Sequence, residues 1–175
     1  MTISRLLLDD LAREADLTRS VLRAVPADRF DWRPHDRSMT LGALASHIAE
    51  TPSWIEGMRE DVFDMASLGD YQPFVATGTD ELLTVFERNL ALCRDVVDGS
   101  DEFLRARWRM LQGSSVLADQ PRHEAIRAIA IHHSIHHRGQ LTVYLRLLDV
   151  AVPQTYGPTA DLPDWRHPEA TTAPK

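Results

Sequence analysis

The chain has 175 residues, 43% hydrophobic and 26% charged, which suits one globular domain with a sizeable core. Its formal charge is −7 and its pI is near 5.5, the wrong sign for a nucleic-acid binder, which needs a basic footprint to displace counterions. Cys93 is the single cysteine, so no intrachain disulfide can form, and the start MTISRLLLDDLAREADL has no apolar run of signal-peptide or membrane-span length.

Four segments repeat apolar residues with a helical period. The first spans roughly residues 2 to 25, with Ile3, Leu6, Leu7, Leu11, Ala15, Thr18 and Leu22 on one side and Pro26 as its end. RFDWRPHDRSM, residues 29–39, is a connector in which Pro34, Asp36 and Ser38 break any period. Thr40 can cap a second helix reaching about residue 66, with a kink or break at Pro52. GDYQPFVATGT, residues 69–79, connects to a third helix, capped by Thr79 or Asp80 and running to about Val97. Its apolar side holds Leu82, Leu83, Val85, Phe86, Leu90, Cys93 and Val97.

Residues 98–120 have no clean period, and FLRARWRML within them reads as a short strand or an ordered loop. Pro121 suits the first turn of a fourth and longest helix, ending near Leu148. Pro153, Gly157, Pro158 and Pro163 then stop regular structure. The expected architecture is all-α, a four-helix bundle whose long connectors allow crossover connections. It forms one domain over residues 1–158, followed by a C-terminal tail over 159–175.

The fourth helix carries HHSIHHRGQ, residues 132–140, four histidines within six positions. Advancing about 100° per residue, Ile126, Tyr144 and Leu148 mark its apolar direction, and His133 and His137 straddle that direction within roughly 30°. His132 and His136 point toward a flank and read as rim or surface residues. Spaced by four, His133 and His137 sit one turn apart on one face, where both imidazoles can reach one cation. They can also be core histidines satisfied by hydrogen bonds, but two of them in an apolar seam without a carboxylate nearby are hard to satisfy. A metal site needs a third ligand, and His47, in LGALASHIAE on the second helix, is the best placed. His35 and His123 read as surface residues, and His167 falls in the tail.

Other chemistries find no support. His123 and Glu124 are followed by Arg127 where a zinc-protease HExxH needs histidine. No histidine has glutamate three positions earlier, as the di-metal carboxylate bundles require. There is no P-loop, GxGxxG or GxSxG, and Cys93 on an apolar face reads as a buried thiol.

His47 in its TLGALASHIAE context, the preceding RFDWRP, the HxxxHRGQ of His133 to Gln140 and the following LRLLDVAVPQTYGP together resemble the DinB-like family over residues 1–158. The resemblance implies a four-helix bundle with crossover connections, holding one divalent metal ion on His47, His133 and His137, and often a homodimer. Three imidazoles make an open set that leans to zinc or nickel, with iron and manganese also open. Some relatives are metal-dependent transferases or isomerases that use a low-molecular-weight thiol, so the implied partner is a small-molecule substrate and such a thiol. The competing expectations are a metal-dependent hydrolase and a non-catalytic stress-response or binding dimer with a structural metal. The candidates for supporting catalytic roles are Glu50, one turn after His47, and Gln140, one turn beyond His137, although a solvated position is the plainer reading of Glu50. Arg138 can bind a carboxylate or tie its helix to a neighbour, and Tyr144, Trp32 and Trp54 read mainly as packing residues. The lone cysteine and the absence of a leader point to the cytoplasm, with neither membrane nor nucleic acid as partner.

Overall fold

The computed structural model describes residues 1–164; His167 and most of the expected tail lie outside the described residues. The first helix, α1 (Ile3–Arg23), starts at Thr2, whose hydroxyl accepts from the Arg5 amide at 3.2 Å. Its inner face buries Leu7, Leu11, Val21 and Leu22, whereas Leu6 is turned outward. Each such leucine taken fully out of water contributes about 1.5–3 kcal/mol.

The second helix, α2 (Leu41–Glu50), is capped by Thr40, which accepts from the Ala43 amide at 3.1 Å. It is shorter than the sequence suggests. At Thr51 the chain tightens into a 3-10 segment, Thr51–Met58, and it then enters a strand, β1 (Val62–Asp64), and a second 3-10 turn, Met65–Leu68. Pro52 has no amide hydrogen to give to the α-helical ladder, so the expected kink is a change of helix type. The third long helix, α3 (Thr79–Val97), begins after Gly78 without a side-chain cap, because the Thr79 hydroxyl donates instead to the Val25 carbonyl at 2.8 Å.

The stretch over 98–120 is regular and corrects the all-α expectation. It forms a short helix, α4 (Asp101–Arg105), and the strands β2 (Arg107–Gln112) and β3 (Ser115–Pro121). β2 runs parallel to β1 and antiparallel to β3, giving a sheet in the order β1-β2-β3. The hairpin turns at Gly113, whose φ of 58° suits a residue without a Cβ. Trp108 on β2 is 2% exposed and donates its indole N–H to the Gly57 carbonyl at 3.1 Å. Its neighbours along β2, Arg107 and Arg109, face water, and the burial alternates as a strand's two faces require.

The last helical run comprises α5 (Arg122–Ile126), a π-helical segment Arg127–His132, and α6 (His133–Leu147). Pro121 stands just before this run rather than in its first turn. Arg122 is buried and spreads its guanidinium over the carbonyls of Met58, Phe103 and Glu60 and the carboxylate of Asp61, tying the sheet to the helices.

The four long helices share one apolar core, in which α1 and α2 each pack against both α3 and α6. Arg138 on α6 is 2% exposed and meets the buried Glu14 of α1 at 2.7 Å. It also donates to the Glu14 carbonyl and the Thr18 hydroxyl. Arg138 therefore ties α6 to α1. The chain stays attached as far as residue 164: Asp161 accepts from Arg146 and from the Val152 amide, and Tyr156 donates to Glu14. No helix among the described residues is long and apolar enough to cross a membrane.

Candidate metal centre

Where α2 faces α6, three histidines converge. His47 comes from the last turn of α2, His133 opens α6, and His137 lies one turn further on. One ring nitrogen from each falls within 4.8 Å of the other two, and all three side chains are half-buried. The ring centroids of His47 and His137 are 4.5 Å apart, and those of His133 and His137 4.4 Å. His132 and His136 are exposed. The pair facing α2 is thus the one the helical count turns inward. The π-helical segment Arg127–His132 separates Ile126 from α6, so Ile126 does not share the 100° count of the histidines. The buried residues of α6 are Ser134, Arg138, Leu141 and Leu145, with His133 and His137 half-buried beside them.

The donor set fits a small cation. The Nε2 atoms of His47 and His133 stand 3.0 Å apart. Two nitrogens each about 2.0–2.1 Å from a common ion are separated by about 3 Å. His137 has its Nδ1–H tied to the Gln140 Oε1 at 2.8 Å, which leaves Nε2 with a free lone pair. Gln140 completes its own bonding by donating its amide to His136 Nε2 at 3.2 Å.

The electrostatics favour the neutral form of His47 and His133. Burial first, then repulsion from His137 and His133, lowers the His47 pKa to about 4. His133 is pushed below the ordinary histidine value by burial, then by His137 and His136. Neutral imidazoles present the lone pairs that a metal needs.

One wall of the site is Trp54, from the 3-10 segment that follows α2. Its ring meets His47 edge-on at 5.0 Å and His133 at 5.4 Å. Trp32 is elsewhere, packed edge-to-face on Tyr144 at 5.7 Å, and the Tyr144 hydroxyl donates to the Met39 carbonyl. Both readings of these two as packing residues hold, whereas Trp54 lines the cluster.

Glu50 is not a solvated helix residue. It is half-buried, its Oε1 accepts from the Tyr71 hydroxyl at 2.5 Å, and its Oε2 is enclosed. Tyr71 escaped sequence reasoning because it lies in an aperiodic connector, where nothing marks the helix it will reach. Two further histidines, His123 and His35, have partners elsewhere. His123 Nδ1 lies 3.0 Å from the Leu104 carbonyl, and His35 accepts from the Arg37 amide. Cys93 is buried, and that burial pushes its thiol up to about 12, far from the range of a nucleophile.

Comparison with known proteins agrees with this picture. A model of the DinB family matches residues 1–169. No curated protein matches. Among solved structures, a DinB-like protein from Bacillus cereus is similar with a TM-score of 0.67 at 21% identity, over 85% of this chain and 95% of that one. A DinB-like protein from Bacillus subtilis is similar with a TM-score of 0.64 at 20% identity, over 86% of this chain and 97% of that one. At such identities the two structures speak for the fold, and the family model speaks for descent. The chain belongs to the DinB family.

Proposed function

We propose that this protein holds one divalent metal ion on His47, His133 and His137 and uses it to activate a low-molecular-weight thiol for transfer to a small electrophile, or for thiol-assisted isomerisation. The observation that carries the reading is the convergence of three ring nitrogens from two helices with no carboxylate among them. A set of three leaves coordination positions for a substrate, as catalytic sites do and closed structural sites do not. Zinc and nickel suit an all-nitrogen set best. When bound, such an ion supplies Lewis acidity that makes a thiol, or water in a hydrolase, acidic enough to react at neutral pH.

The chain's own residues supply the rest. His47 comes from one helix and the other two histidines from its neighbour, so the packing of α2 on α6 sets the spacing of the three rings. Gln140 fixes the tautomer of His137 through its Nδ1–H. Trp54 closes one side with an apolar ring that keeps water away from His47 and His133. We read the four packed helices as the four-helix bundle with crossover connections, working in the cytoplasm as a homodimer. Exposed Val143 and Leu147 give α6 an apolar outer face that suits a second copy.

The test is metal content by plasma mass spectrometry, with wild type, His133→Ala and His132→Ala purified alike. Near-stoichiometric zinc or nickel in wild type and His132→Ala, with loss in His133→Ala, supports the site. Equal loss in both variants refutes the choice of ligands. A screen of cellular thiols with electrophilic acceptors then tests the reaction class.

A further inference from the structure

We propose that Glu50 is the proton acceptor of the three-histidine site and that Tyr71, delivered by the connector after β1, positions it; this rests on the functional reading above. Glu50 follows His47 by three residues, so both lie on one side of α2. The Oε2 atom of Glu50 is buried without a hydrogen-bond partner, and no other buried side-chain nitrogen or oxygen among the described residues is left so. An enclosed, unpaired carboxylate oxygen is costly, and such an atom in a native fold calls for a functional account. A donor on a substrate brought to the histidines would complete it.

The other carboxylate oxygen is held. Tyr71 donates to Oε1 at 2.5 Å. Burial, and then the Glu50 carboxylate, push the phenol up to about 12, so it remains a donor at neutral pH. Trp54 neighbours the same phenol and acts on it in the opposite sense, and its indole also packs against His47 and His133. Contacts therefore run in a ring from His47 to Trp54, to Tyr71, to Glu50 and back along α2. The connector is fastened a second time where the Ala76 amide donates to the Ser46 hydroxyl at 2.8 Å. Its two attachments, Ser46 and Glu50, flank His47 in the sequence.

The step is a proton transfer. The S–H bond of the incoming thiol breaks, its proton forms an O–H bond on Glu50 Oε2, and the electron pair stays on sulfur as the nucleophile. The carboxylic acid so formed later returns the proton to the product or to solvent.

The experiment uses cobalt(II)-loaded protein and 2-mercaptoethanol. The sulfur-to-cobalt absorption band is followed by stopped flow in wild type, Glu50→Gln, Tyr71→Phe and the double variant, with cobalt content and thermal midpoint measured on each. Glu50→Gln keeps an oxygen for Tyr71, so its fold and cobalt content should match wild type while thiol capture slows about 10²-fold. Tyr71→Phe loses one hydrogen bond to a charged acceptor and should slow capture roughly tenfold. On the Glu50→Gln background the same change should cost nothing further, which a merely structural tyrosine would not show. Undiminished capture in cobalt-loaded Glu50→Gln overturns the proposal. So does loss of cobalt from that variant, which would make Glu50 a ligand. Equal slowing by Tyr71→Phe in both backgrounds overturns the positioning role. Failure of wild type to take up cobalt overturns the metal reading and this one together, and is distinct from metal bound with capture unchanged.

Discussion

Acid should destabilise the metal-free chain through His47, in a window its surroundings define. The folded chain holds the His47 pKa at about 4 against an ordinary value of 6.5, through burial and then through His137 and His133. As the pH falls, the unfolded chain binds this proton first. Between 6.5 and about 4 the unfolded state carries the extra proton, so the contribution is fully present above 6.5 and is lost as the pH falls toward 4. Each pKa unit corresponds to about 1.4 kcal/mol. The ring is only half-buried, and solvent screening reduces the expected loss to about 1–2 kcal/mol. His133, also pushed down, acts in the same direction. The assay is urea unfolding followed by tryptophan fluorescence in excess chelator, wild type beside His47→Gln, at about pH 7.5 and about pH 4.5. The variant has no group to titrate there, so its stability should fall less between the two conditions by that amount. Parallel losses in the two chains, or a wild type that gains stability on acidification, would refute the reasoning.

Other consequences are more local. Arg138→Met strands the buried Glu14 carboxylate and should cost about 3–5 kcal/mol in urea unfolding, whereas Glu14→Leu with Arg138→Met should recover most of that loss. Gln140→Leu frees the His137 ring from its hydrogen bond and should weaken zinc about 10–100-fold in competition with a chromogenic chelator, leaving the thermal midpoint of the metal-free chain unchanged. Cys93 should not react with a chromogenic disulfide reagent until urea unfolds the chain, because burial keeps its thiol protonated. Rapid reaction in the native state would mean that the core around α3 opens readily.

Local signals in the sequence were sufficient for much of the helical frame. Thr40 caps where a hydroxyl before an apolar period should cap, and the inner faces of α1 and α3 follow their 3.6-residue repeat. That His133 and His137 share a side was legible for the same reason: a spacing of four places both on one side of α6. The HxxxHRGQ motif and its companions identified the family correctly.

Only the tertiary structure could decide the rest. After the short helix α4, residues 107–121 become two strands because Trp108 gains a buried seat and its strand gains β1 as a partner, Val62 pairing with Arg109. Glu50 looks like a solvated helix residue until a tyrosine from an aperiodic connector closes over it. Arg138 can bind a carboxylate or tie its helix to a neighbour, and only the packing of α1 on α6, which brings Glu14 to it from the far end of the chain, decides for the tie. The sequence by itself determined which faces are apolar and which histidines share a side, since both follow from backbone periodicity. Which residues from distant elements meet at those faces depends on how the helices cross, and no local repeat encodes that.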